Sequence, residues 1–342
     1  MKKYLYLLLF VLANLSFSAG ATIITVDNNY PSIGNYSTLQ AAHDGANPGD
    51  TVYVLPSNTA YPGIDVYKKL IFLGPGFDLG QPVLKTAKIS GTMFFHPPSG
   101  GSSIGGFDNY FIITADADNL AIRKNKLGMI TVRPSHVGTV ITQNFIKGYT
   151  SDYLVKVDSN NQVYLANNKI INMYKEPGYG FYYMGYGVLA DKPSTSITII
   201  NNVIRVNFHT LENRGCAMTT TNATCDVINN IFIDGQLYIA AGTTYMNNMH
   251  NRWDLPAGNG NQNDISPDAT FVDHGNSDFH LLPGSPARGS GLGGVDMGLY
   301  GGVIPFDDNG YPGIPSIYYL DVPSGGSQQT GVNVTIKAKS NF

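Results

Sequence analysis

The chain has 342 residues, a formal charge of −3 and 13% charged side chains, about half the share usual in globular proteins. It carries no basic run, which argues against nucleic acid as a partner. Gly (39) and Tyr (22) help fill the deficit, a composition that favours short strands and tight turns over helices.

At the N-terminus Lys2 and Lys3 precede the apolar run Leu5–Leu15, and Ala19-Gly20-Ala21 forms an A-x-A cleavage pattern. Residues 1–21 therefore read as a secretory signal peptide, too short to span a membrane. Its removal takes away two lysines and moves the formal charge from −3 to −5. The expected location is secreted, periplasmic or cell-surface, with no membrane insertion after cleavage.

One helix is expected next. Ser37-Thr38-Leu39-Gln40 opens it, Leu39, Ala42 and Ala46 share a face, and Asn47-Pro48-Gly49-Asp50 stops it. The strand Thr51–Leu55 follows directly, as in a helix that plugs the open end of a solenoid.

A repeat then dominates the chain. Ile122–Leu127, Ile141–Ile146, Leu165–Ile170, Ile199–Ile204 and Val227–Phe232 share an apolar residue, a polar pair ending in Asn, and an apolar residue two positions on. The aligned asparagines are Asn125, Asn144, Asn168, Asn202 and Asn230, extended by Asn248, at intervals of 19, 24, 34, 28 and 18 residues. Such spacing describes a solenoid with a short minimal coil and insertions in particular coils. Ser196–Ile200 and Leu237–Ala240 read as its strands. Stacked asparagines on the inside of each bend would hydrogen-bond one coil to the next, at roughly 4.8 Å per coil, with Asn tolerating a left-handed bend.

The predicted fold is all-β: a right-handed, single-stranded parallel β-helix over residues 22–304, with an N-terminal capping helix. Residues 305–342 form a linker and tail, in which Ile317–Leu320 and Val332–Ala338 suggest a small β-hairpin packed on the solenoid. A sorting tail is the alternative there. The oligomeric state is not legible.

Candidate chemistry gathers after the ladder asparagines. The longest interval holds Met173–Gly187, with Tyr174, Tyr179, Phe181, Tyr182, Tyr183 and Tyr186. Flat rings with polar tips suit stacking on sugars, and suit packing against the solenoid wall equally well. Lys147 and Arg205 both lie three positions past their ladder asparagine and should share a column two coils apart; His209 follows Arg205. Lys147, Arg205 and His209 could abstract a proton from a uronic acid or neutralise its carboxylate; each could equally be a solvated surface group. Glu176, Asp191, Glu212 and Asp234 show no pairing suited to hydrolysis. No cofactor is called for. Asp116, Asp118, Asp152 and Asp158 could offer oxygen ligands to calcium, without a dense loop motif. His250, His274 and His280 read as surface or turn residues. Cys216 and Cys225, nine residues apart, suit a loop-closing disulfide or two free thiols equally.

Tyr36–Pro56, the polar-Asn-x-apolar coils, Asp278–Gly291 and Asp296–Gly302 together resemble secreted bacterial β-helix proteins of the pectate-lyase-like fold, over residues 23–302. The resemblance implies the fold and a polysaccharide or glycan surface as partner; that fold hosts lyases, hydrolases, epimerases and adhesins. The catalytic signatures of those enzymes are incomplete. Thr131–His136 offers only Arg133-Pro134 of an R-x-P-x-x-R segment, Asp307-Asp308 is a lone acidic pair expected beyond the helix, and no G-H-G or N-G-x-x-E is present. Three functions stay open: an exported glycan-binding protein, which the missing signatures favour; a polysaccharide lyase or hydrolase on acidic glycans; and a purely structural solenoid.

Overall fold

The computed structural model describes residues 20–78, 85–159, 161–174, 185–207, 215–239, 242–311, 316–323, 325 and 331–339. Most of the expected leader, residues 1–19, lies outside them.

The short β-branched segments stack as parallel strands on the faces of a solenoid. The first face is a ten-stranded sheet that begins with Ile23–Val26 and Thr51–Val54 and ends with Thr224–Ile228 and Thr244–Met246. Each of its strands pairs in parallel with the next coil, so that Val163, Ile197 and Cys225 stack in one column and Leu165, Ile199 and Val227 in another. The second and third faces share a sheet. The long strand Lys126–Val132 spans both, its front half pairing with Phe145–Gly148 and its back half with Tyr153–Val157. Later coils divide into separate strands: Lys169–Asn172 and Val203–Val206 on the second face, Tyr186–Leu189 and Cys216–Thr219 on the third. This is the stacked parallel β-helix that the resemblance implied.

Period-two alternation sends one side of every strand inward. Ile122, Ile141, Leu165, Ile199 and Val227 are at most 1% exposed, each worth about 2 kcal/mol of transfer free energy. The helix Leu39–Gly45 closes the N-terminal end. Thr38 Oγ1 caps it by accepting from the Ala41 amide, and Leu39 and Ala42 join the core beneath.

The asparagine ladder turns the first face into the second. Each Nδ2 donates to the Oδ1 one coil on: Asn125 to Asn144 at 3.1 Å, Asn144 to Asn168 and Asn168 to Asn202 at 3.0 Å, Asn202 to Asn230 at 2.9 Å and Asn230 to Asn248 at 3.1 Å. Asn261 adds a rung the repeat did not reveal, at 3.2 Å from Asn248. Ladder asparagines are not the left-handed residues, contrary to expectation. The residue before each one is: Lys124, Gln143, Asn167, Asn201, Asn229 and Asn247 have φ between 51° and 58°. The ladder side chain must point inward, so its predecessor makes the bend and points outward.

Those outward residues hold a C-terminal strap. Residues 290–309 run back along the ladder corner, opposite to the direction of coil growth. Asn247 donates to Ser290 O, Asn201 to Asp296 O and Gly298 O, Asn167 to Leu299 O and Gly301 O, Gln143 to Pro305 O, and Lys124 pairs with Asp307 at 3.4 Å. Gly301 passes so near that a Cβ there would collide with Asp296 O and the Asn201 amide. Beneath the strap and the segment leading into it, Ile171, Val203, Ile231 and Met249 of the second face pack with Phe271, Phe279, Met297, Leu299 and Phe306 in a second core. Asp307-Asp308, expected beyond the helix, thus lies against it, and Tyr311 is also buried.

The terminal hairpin forms from Ser316–Asp321 and Thr335–Lys339, paired antiparallel. Its register begins later than the sequence suggested, and Val332, Val334 and Ile336 are about half exposed, where packing on the solenoid was expected.

Candidate functional site

Insertions collect at the corner between the second and third faces. Residues 149–152, 173–185 and 207–215 each join a second-face strand to the following third-face strand; 175–184 and 208–214 of these lie outside the described residues. Backbone there is tied by Asn172, which is fully buried. Its Nδ2 donates to the carbonyls of Thr150, Asp152 and Tyr186, and its Oδ1 accepts from the Tyr174 amide. Asn207 repeats the device one coil on, with Nδ2 donating to Tyr174 O at 3.3 Å.

A shallow groove of about 340 Å³ opens beside this corner, lined by Tyr110, Ile112, Gly128, Met129, Lys147, Gly148, Tyr149 and Thr150. Two tyrosines flank it, Tyr110 at 41% and Tyr149 at 68% exposure. Gly128 supplies the floor: a Cβ there would strike the carbonyl of Tyr110. Among the described residues Lys147 is the only charged one in the lining, with Nζ 5.5 Å from the centre of the Tyr149 ring. Two further lysines, Lys126 and Lys169, stack in register with Phe145 in the adjacent outward column and are already partnered. Lys126 lies over Tyr110 at 5.0 Å and pairs with Asp108 at 3.6 Å. Lys169 lies over Phe145 at 4.7 Å and Phe279 at 5.4 Å. Burial holds the Lys169 ammonium below its usual pKa, against the pull of Asp308 and Asp278. Among the described residues the lining offers ring faces and the Lys147 ammonium, without a carboxylate.

The proposed residues separate accordingly. Lys147, Ile171 and Arg205 are register partners on successive coils, so the basic pair does share a column two coils apart. Strap packing then splits it: Lys147 faces the groove, while Arg205 Nη1 donates to the carbonyl of His274 at 2.5 Å. Tyr174 and Tyr186 flank the insertion at the same corner, both partly buried, with Tyr186 4.9 Å from Tyr153. Tyr179, Phe181, Tyr182, Tyr183 and His209 lie outside the described residues, as do Glu176 and Glu212. Tyr110 and Tyr149 escaped sequence reading because they stand 39 positions apart, in turns with no shared motif.

The acidic and histidine candidates sit elsewhere. Asp116 and Asp118 grip His136 from two sides, at 3.1 and 3.3 Å, and Asp152 pairs with Lys156 at 2.5 Å. Among the described residues no three His, Cys, Asp or Glu side chains converge as a metal site. His250 is not a surface residue: it is fully buried on the strand Met249–His250, with Nε2 3.2 Å from Asp234 O. His280 stacks on Tyr300 at 4.1 Å beside Asp278 and Asp308. Cys216 and Cys225 are both buried free thiols.

No family model matches the sequence, and no curated protein matches it. Among solved structures the chain is similar to the crystal structure of pectate lyase Pel9A, with a TM-score of 0.40 and 11% identity over 80% of this chain and 92% of that one. The parallel β-helix stands on the strand register, and the distant likeness adds nothing about the groove. No helix among the described residues is long and apolar enough to cross a membrane.

Proposed function

We propose that this is an exported β-helix protein that binds polysaccharide in the groove of Tyr110, Lys147 and Tyr149, and that it does so without cleaving the polymer. Support for the groove comes from two half-exposed tyrosines around an ammonium that meets no carboxylate among the described residues. A pyranose ring has apolar faces that stack on tyrosine and a rim of oxygens that accept from Lys147 and the tyrosine hydroxyls. Hydrolysis would need two opposed carboxylates, and among the described residues the groove lining has none. Export rests on Lys2, Lys3, the run Leu5–Leu15 and the small residues after it. The insertion residues Tyr174, Tyr179, Phe181, Tyr182, Tyr183 and Tyr186 belong to the same reading as sugar-stacking rings, on their sequence alone.

The test is co-sedimentation of residues 22–342 with insoluble acidic and neutral polysaccharides, alongside assays for new reducing ends and unsaturated products. Retention without product is expected, weakened about tenfold by Tyr149→Ala, the scale of one lost aromatic contact. Product that disappears with Lys147→Ala would replace binding by a lyase activity. No retention on any polymer would leave the solenoid a structural element.

A further inference from the structure

The third face carries a second ring platform, displaced from the groove toward the N-terminal end. Tyr67 and His96 stack at 4.2 Å with 6° between their planes, and His96 and Phe94 at 4.0 Å with 15°. The three rings are nearly parallel, and the middle one is anchored: His96 Nε2 lies 2.8 Å from Asp65 Oδ1. Tyr67 remains 51% exposed and the Asp65 side chain 60% exposed. An open tyrosine ring beside a free carboxylate oxygen presents one surface for a sugar's apolar face and one acceptor for its hydroxyls.

Strand register connects this platform to the groove. Ile112, in the groove lining, pairs with Thr92; Thr114 pairs with Phe94, and Phe94 with Asp65. Thr92, Phe94, Ile112 and Thr114 all take the outward, half-buried positions of their strands. The two sites therefore share one flat β-surface. Tyr67 lies two coils and about four residues from Ile112, roughly 16 Å at 4.8 Å per coil and 3.3 Å per residue. That exceeds what a single sugar ring bridges and falls within reach of a short chain.

We infer that Tyr67, His96 and Asp65 form a distal sugar subsite, so that the third face binds an extended pyranose chain running diagonally across its strands from Tyr149 to Tyr67. This rests on the groove reading and adds a polarity to it: the Lys147 end accepts negative charge, while the Asp65 end favours neutral, hydroxyl-rich units. Two stacking points joined by one ligand act with a raised effective concentration, so affinity should grow with chain length until both are filled.

The experiment is calorimetric titration of residues 22–342 with size-fractionated oligogalacturonates and xylo-oligosaccharides, from disaccharide to octasaccharide. Wild type should gain about tenfold in affinity between the short and long xylo-oligosaccharides, whose neutral units suit the Asp65 end. Tyr67→Ala should erase that gain and leave short-chain affinity unchanged, and Asp65→Asn should reproduce part of the loss without removing a ring. Tyr149→Ala should weaken every length. Affinity independent of length, or a length gain that survives Tyr67→Ala, overturns the distal subsite and leaves the groove intact. Equal loss at all lengths in Tyr67→Ala also overturns it. Absence of wild-type binding to both series at every length sinks the groove reading as well.

Discussion

Arg205 Nη1 reaches the main-chain carbonyl of His274, 69 positions along the chain, at 2.5 Å. The guanidinium that the sequence offered as a candidate for substrate instead pins the segment leading to the strap onto the second face. Arg205→Ala should therefore cost about 1.5–3 kcal/mol, the range for a hydrogen bond to a charged group, read as a lower urea midpoint. Polysaccharide retention should be unchanged. Loss of retention at unchanged stability would return Arg205 to the binding surface.

The asparagine ladder predicts a position-dependent cost. Asn168 accepts from the Asn144 amide and side chain, and donates to Ile141 O, Ala166 O and Asn202 Oδ1, all buried. Removing it strands donors and carbonyls where water does not reach. Asn168→Ala should destabilise by about 3 kcal/mol or more. Asn261→Ala, at the partly exposed end of the ladder, should cost about 1 kcal/mol. Equal costs in chemical denaturation would show that the ladder is not cooperative with the buried core.

These two features differ in how far sequence reveals them. A ladder requires asparagine on every coil, because only a short amide can accept from one neighbour and donate to the next, so its spacing is visible. A strap requires only main-chain carbonyls, such as Leu299 O and Gly301 O beneath Asn167. Any residue supplies a carbonyl, so the strap leaves no pattern and the fate of Arg205 was not legible. The same holds for the groove. Tyr110 and Tyr149 meet through coil stacking, whereas Lys147 was visible through its fixed distance from Asn144.

Thiol chemistry should follow burial. Cys225 is 1% exposed on the first face, and burial pushes its pKa up to about 12; the Cys216 thiol is raised for the same reason. At pH 8 the thiol form of Cys225 outweighs the thiolate by roughly 10⁴ to one. Iodoacetamide should label neither cysteine in the native protein and both in urea without reductant. Labelling that requires reductant in urea would show a disulfide between them.

His250 sets a pH limit on stability. Burial lowers its pKa below the ordinary histidine value, against the pull of the Asp234 carbonyl and the Asp254 carboxylate. Above about pH 6.5 both folded and unfolded chains carry a neutral imidazole, and the residue adds no pH dependence. As pH falls below that value the unfolded chain takes up a proton that the folded chain resists, so stability declines at up to about 1.4 kcal/mol per pH unit until the folded pKa is reached. The lowered carboxyl pKa values of Asp27, Asp50 and Asp278 act in a separate window, below about pH 4, where those groups protonate. Unfolding free energies for wild type and His250→Gln should therefore diverge in slope between pH 6.5 and the acid limb, with the wild type falling faster. Parallel curves through that interval would mean that the imidazole is protonated in the folded solenoid.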